Sequence, residues 1–181
     1  GTSLESVNLV LNSGEILGIA GISGNGQKEL LTAISGEKPL ADNDAIELLG
    51  APVGRSGSLA RRHRGLCFVP EERLGRGAVP SLSLAENAVL TAHDRGMVKV
   101  GLLRFAEVES FARRCIDGFK VKCGGSQSEA RSLSGGNLQK FIVGREILQN
   151  PKVLVVSQPT WGVDVGASAF IRQSVIDLGN A

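Results

Sequence analysis

Apolar and polar positions follow two rhythms along this chain, and the change of rhythm marks out strands and helices. Glu15-Ile16-Leu17-Gly18-Ile19-Ala20 is a short apolar run bounded by glycine, and Lys28 to Ser35 follows with helical spacing at Leu30, Leu31 and Ile34. That order predicts strand, glycine-rich loop, helix. A second buried strand is expected at Gly65-Leu66-Cys67-Phe68-Val69, stopped by Pro70. The segments Ser83 to Thr91 and Phe105 to Phe119 read as helices; in the second, Phe105, Val108, Phe111, Ala112, Cys115, Ile116 and Phe119 recur at helical steps. Ser134 to Leu148 is a further helix, with Ser134 positioned to cap its start and Leu138, Phe141, Ile142, Arg145 and Leu148 on one side. Pro151 ends it, and Lys152-Val153-Leu154-Val155-Val156 is a continuous run typical of strands covered on both faces. Strands alternating with helices predict an α/β sheet protein.

Composition narrows the class. At 181 residues, 42% hydrophobic and 21% charged, the chain fits one domain with a sizeable core. Its apolar runs are far shorter than the roughly 20 residues of a membrane span, and no stretch at its start reads as a secretory signal. A net charge of +2 gives no nucleic-acid footprint, and the cluster Arg61, Arg62, His63, Arg64 reads as a solvated loop. Cys67, Cys115 and Cys123 lie at no metal-ligand spacing, which favours reduced, structural thiols.

The 24 glycines concentrate in a few places, implying tight loops defined by the backbone. Gly21-Ile22-Ser23-Gly24-Asn25-Gly26-Gln27-Lys28-Glu29 has the two glycines of the phosphate-loop pattern G-x-x-x-x-G-K-[ST] at the required separation. In a working loop the backbone N–H groups curl around phosphate oxygens, the lysine neutralises charge and the hydroxyl holds Mg²⁺. Here Gln27 stands at the lysine position, Lys28 at the hydroxyl position, and Glu29 follows. One residue of displacement turns Lys28 about 100° around a helix, so it does not replace the missing lysine. On these residues alone, a plain glycine-rich turn remains an equal alternative.

Leu133-Ser134-Gly135-Gly136-Asn137-Leu138-Gln139-Lys140 resembles the LSGGQ-type signature of ABC (ATP-binding cassette) ATPases, and Val153 to Asp164 resembles their Walker B strand and D-loop. Phe68-Val69-Pro70-Glu71-Glu72-Arg73 falls where that family has its Q-loop, with Glu71 in place of the usual glutamine. Together these motifs look like the second, degenerate cassette of tandem ATPases that import simple sugars or nucleosides. The resemblance implies an ABC-type cassette with a mixed sheet core at about 1–82 and 150–181 and a helical signature subdomain at about 83–149, trimmed at both ends.

The resemblance also assigns roles. Gly21, Ser23, Gly24, Asn25, Gly26, Gln27, Lys28 and Glu29 would hold nucleotide; Ser134, Gly135, Gly136 and Gln139 would reach ATP on a partner cassette; Asp164 is the D-loop aspartate. The family's Walker B strand ends in Asp-Glu for Mg²⁺ and for the attacking water. This chain has Ser157 and Gln158, neither able to act as a general base near neutral pH. ATP and Mg²⁺ are therefore implied as cofactors bound weakly or not at all at this domain's own site. The implied partners are a second cassette, in the same polypeptide or as a dimer, and transmembrane permease subunits, with the domain peripheral on the cytoplasmic face of a bacterial membrane. Two alternatives stand beside this reading: a non-transport ABC ATPase, and a structural or regulatory cassette that binds no nucleotide. Trp161 reads as a packing or interface aromatic, Arg73 and Arg76 as solvated loop charges, and His63 and His93 as surface loop side chains.

Overall fold

A computed structural model describes residues 4–22 and 24–180. In chain order the elements are α1 (Gln27–Ser35), β1 (Glu47–Leu48), β2 (Ala51–Pro52), α2 (Ser58–His63), β3 (Leu66–Val69) and α3 (Leu84–Ala92). A π turn (His93–Met97) leads to β4 (Val98–Lys99), β5 (Leu102–Leu103), α4 (Phe105–Gly118), α5 (Gly135–Ile147), β6 (Val153–Val156) and α6 (Val165–Gly179).

The centre is a parallel pair, β3 with β6, in register from Leu66 opposite Val153 to Val69 opposite Val156. Their side chains alternate between two apolar layers, as the period of a strand requires. Leu66, Phe68, Val153 and Val155 join Leu48, Val53, Ile34 and Ile46 on one face, while Val69, Leu154 and Val156 join the larger cluster on the other. That larger cluster is built by Leu84 and Ala88 of α3, Phe111, Ala112 and Cys115 of α4, Leu138, Phe141 and Ile142 of α5, and Ile171 of α6. The short ladders β1–β2 and β4–β5 are antiparallel hairpins whose two-residue turns, Leu49-Gly50 and Val100-Gly101, have positive φ at both positions. That is the turn whose twist matches a hairpin.

The predicted helices form close to their expected limits. In α3 the Ser83 hydroxyl accepts from the Glu86 N–H while the Glu86 carboxylate accepts from the Ser83 N–H, a capping box that holds Glu86 below its ordinary pKa. The strand expected at Glu15 to Ala20 is different: the segment is extended, lacks strand pairing, and leaves Ile16 and Ile19 more than half exposed. Apolar content alone does not make a strand. Its ladder must come from a neighbour, and the one backbone bond recorded here is local, from the Glu15 N–H to the Asn12 carbonyl.

The basic cluster is also not a solvated loop. Arg61 is fully buried in α2, and its guanidinium donates to the carbonyls of Ala33 and Ile34 at the end of α1 and of Gly54 and Ser56. Carbonyls at a helix end lack partners in the next turn; the Ala33 carbonyl also accepts from the Gly36 N–H, and the one arginine bonds the Ala33 and Ile34 carbonyls and ties α2 to α1. Arg62 pairs with the buried Glu146 at 2.7 Å. Among the described residues, no helix is long and apolar enough to cross a membrane.

Candidate functional site

Two parallel strands in register send their following loops out side by side. Two residues beyond Val69 lies Glu71, and two beyond Val156 lies Gln158, whose amide donates to the Glu71 carboxylate at 3.0 Å. Gln158 has φ of 43°, a conformation that turns the chain sharply as it leaves β6. Ser157 is buried at the strand end, its N–H bonded to the Val69 carbonyl at 2.9 Å. Lys28, on the first turn of α1, approaches Glu72 at 3.9 Å, both side chains exposed. Thus the start of α1, the Glu71-Glu72 loop and the end of β6 meet at one end of the molecule.

Among the described residues, the loop before α1 turns on two glycines. Gly24 and Gly26 have φ of 92° and 94°, which only glycine adopts readily, and Gly26 opens α1 with no side-chain cap. The N–H groups of Gln27, Lys28 and Glu29 therefore begin the helix as the orphan donors that attract anions. Ser23 lies outside the described residues. The Gln27 amide folds back across the loop and donates to the Ile22 carbonyl at 3.1 Å. A methyl group on Gly21 would collide with that amide nitrogen, so Gln27 fills the hollow of the loop.

These residues fit a phosphate only through backbone donors. Lys28, on the first turn of α1, turns to Glu72, and Glu29 adds a negative charge on the same turn. For Mg²⁺, Ser157 and Gln158 offer no carboxylate, and the Glu71 carboxylate beside them accepts from the Gln158 amide. Among the described residues, the one convergent group of His, Cys, Asp or Glu ligands is His63, His93 and Asp94, on other elements.

The second surface gathers the Leu133-to-Lys140 motif. Ser134 is the N-cap of α5 but accepts no backbone N–H; its hydroxyl instead accepts from the Asn137 amide at 2.9 Å. Ser134 and Gly135 are exposed, Gly136 is buried against Asp164 and Ala167, and Gln139 is only 3% exposed. Gln139 thus packs beneath the face that Ser134 and Gly135 present. Asp164 caps α6, its carboxylate accepting from the Ala167 N–H at 2.8 Å, and that bond holds it below its usual range.

Arg73 is the residue that reading the chain missed. Its guanidinium donates to the Trp161 carbonyl at 3.1 Å and the Gly162 carbonyl at 3.4 Å, lies 6.0 Å from the Trp161 ring, and closes on Gly135. It joins the loop after β3 to the loop after β6 and to the start of α5. No local pattern signals this, because the acceptors are backbone carbonyls almost ninety positions away. Arg76 is likewise paired, with Glu37 at 2.6 Å.

A parallel strand pair with a glycine loop opening one helix and a glycine-led helix start beside the next strand's exit is the layout of an ATP-binding cassette. Solved cassettes share it: the dimeric, post-hydrolysis structure of the ATP-binding cassette MJ0796 bound to ADP and Pi superposes with a TM-score of 0.79 at 23% identity, covering 96% of this chain and 73% of that one. The chain belongs to the ABC transporter family, which it matches over residues 4–161. It is 40% identical over 174 residues to the nucleoside import ATP-binding protein NupA of Lactococcus lactis subsp. cremoris, a match covering 96% of this chain and 34% of that protein. It is 39% identical over 170 residues to the ribose import ATP-binding protein RbsA 1 of Rubrobacter xylanophilus, covering 94% and 34%. The guanosine import ATP-binding protein NupO of Bacillus subtilis is 35% identical over 180 residues, covering 99% and 35%. The chain spans about a third of the length of the curated relatives it matches.

Proposed function

We propose that this chain is the second nucleotide-binding cassette of an importer for simple sugars or nucleosides, peripheral on the cytoplasmic face of the membrane, with a disabled nucleotide loop and a usable signature. We assign the sheet core to about 1–82 and 150–181 and the helical subdomain to about 83–149. The observation that carries the reading is a contrast between two glycine-rich helix starts. At α1 the Gln27 side chain fills the loop and Lys28 turns to Glu72; at α5 Ser134 and Gly135 stand exposed, and the hydroxyl is not spent on capping.

In a head-to-tail pair of cassettes, the Ser134 hydroxyl and the N–H groups at the start of α5 would donate to a phosphate held by the partner, aided by the positive end of the helix. Asp164 keeps the loop before α6 in place by capping that helix, and Arg73 fixes the same loop against Gly135. Ser157 and Gln158 cannot take a proton from water, so hydrolysis through this domain's own loop is slow: loss of a general base typically costs 10² to 10⁴ in rate. Permease subunits and a competent partner cassette, in the same polypeptide or as a dimer, are the partners this arrangement requires.

Titration calorimetry with Mg-ATP on this chain and on Gln27→Lys tests the loop. A charge-assisted bond is worth on the order of 1.5 to 3 kcal/mol, so the variant should bind about ten- to hundredfold more tightly than a weak or silent wild type. Tight wild-type binding would overturn the disabled-loop reading. The Gln27 amide across the loop also favours a second reading, a regulatory cassette that binds no nucleotide; silence from both proteins would select it.

A further inference from the structure

Away from the nucleotide loop, one side-chain cluster is assigned no role. His63 ends α2, and His93 and Asp94 open the π turn that follows α3. The Asp94 carboxylate meets both imidazoles: Oδ2 lies 2.7 Å from His63 Nε2, and Oδ1 lies 3.0 Å from His93 Nε2. All three ligand atoms lie within 4.8 Å of one another, and all three side chains are reachable from solvent at 36 to 53% exposure.

We propose that His63, His93 and Asp94 form a transition-metal site of the Zn²⁺ class. Ligand atoms bound at about 2.0 to 2.2 Å to a tetrahedral zinc sit roughly 3.3 Å apart. The imidazole–carboxylate separations, 2.7 Å to Oδ2 and 3.0 Å to Oδ1, are about 0.6 and 0.3 Å shorter than that spacing, so both contacts open when an ion enters between them. The donor set has the right chemistry: imidazole suits Zn²⁺, Ni²⁺ and Cu²⁺, and one carboxylate supplies the negative charge. Each histidine turns its Nε2 to the carboxylate, so Nε2 is the nitrogen that would coordinate, with the ring proton on Nδ1 in the metal-bound form. Three protein ligands leave at least one coordination position for water, the pattern of an open rather than a closed structural site.

The backbone prepares the cluster. The turn departs from helical geometry at Arg95 and at Gly96, whose φ is 81°, so the chain breaks away from the α3 axis directly after Asp94. An ion here ties the end of α2 to the end of α3 beside the Arg62–Glu146 pair. Arg62 and Arg95 line the same hollow as His63 and Asp94; they repel a bare cation and keep the affinity below that of a closed structural site. The site stands whether or not the nucleotide reading does.

The test is a ZnCl₂ titration of the untagged chain at a pH of about 7.5. Calorimetry, thermal denaturation and the visible spectrum of the Co²⁺ form supply three readouts. Wild type should bind one ion per chain and melt at a higher temperature with zinc. His93→Ala should weaken binding at least about tenfold and abolish the thermal shift. His63→Gln, which keeps a donor for Asp94, should do the same. Binding unchanged in both variants overturns the site, as does failure to saturate at one ion per chain by about 1 mM free zinc. A thiolate charge-transfer band that disappears in Cys123→Ser overturns it too, by assigning the metal to the one cysteine that is not buried.

Discussion

Glu146 has no exposed surface, yet it carries a charge in the middle of the helical layer. Burial alone would raise its pKa; Arg145 at 2.9 Å and Arg62 at 2.7 Å, with a bond from the Thr91 hydroxyl, overcome that and hold it below the ordinary carboxylate range. Glu146→Gln leaves two arginines partly unpaired in a dry setting. The variant should lose about 3 to 5 kcal/mol of stability in urea denaturation. Because the folded-state value lies below the unfolded one, the ion pairs contribute fully above a pH of about 4.5 and their contribution is lost as pH falls through the lower folded value. Glu146→Gln should accordingly flatten the acid limb of a stability–pH curve. None of this was legible in the sequence, where Arg145 counted only as one side of a helix and Arg62 as part of a basic loop. Burial of a charge depends on partners more than fifty positions away, such as Thr91 and Arg62, which periodicity does not encode.

Elements were far more legible than their partners. Helices declare themselves through local spacing and caps, and α1, α3, α4 and α5 form where the apolar steps put them. The two strands of the parallel pair also form where short apolar runs put them, but the segment from Glu15 to Ala20, likewise a short apolar run, does not pair. Strand identity is a tertiary property, whereas helix identity is largely a local one. At the signature, Ser134 stands at the N-cap as expected while its hydroxyl turns to Asn137, a side-chain choice that motif spacing leaves open. Packing between elements sets a finer limit at Gly144 on α5. A Cβ there would lie 2.5 Å from the Phe119 ring at the end of α4. Alanine gains up to about 1 kcal/mol over glycine in a helix, but overpacking typically costs 1 to 3 kcal/mol. Gly144→Ala should therefore destabilise by about 1 to 2 kcal/mol, read as a lower urea midpoint at unchanged slope. A rise in the midpoint would mean that the ring swings away freely.

At the scale of the whole molecule, a dry two-layer core stands beside a long apolar segment that it does not cover. Both faces of the β3–β6 pair are filled, by α3, α4, α5 and α6 on one side and by the β1–β2 hairpin and α1 on the other. In contrast, Val10 and Ile22 are 77% and 80% exposed, and Val7, Ile16 and Ile19 are all half exposed or more, on a segment that makes no strand pairing. An extended apolar segment with free N–H and C=O groups is a template for pairing with another chain. The same holds for the outer edges of β3 and β6, which pair only with each other among the described residues. Sedimentation velocity at rising concentration should therefore show reversible self-association of this chain. Charge on the exposed face opposes edge pairing at little cost to a segment that packs against so little, so Ile16→Lys with Ile19→Lys should shift the chain to monomer while leaving its melting temperature nearly unchanged. If the doubly substituted chain unfolds instead, the segment is held by the fold in solution, and the unpaired first strand is not the state that molecules in solution adopt.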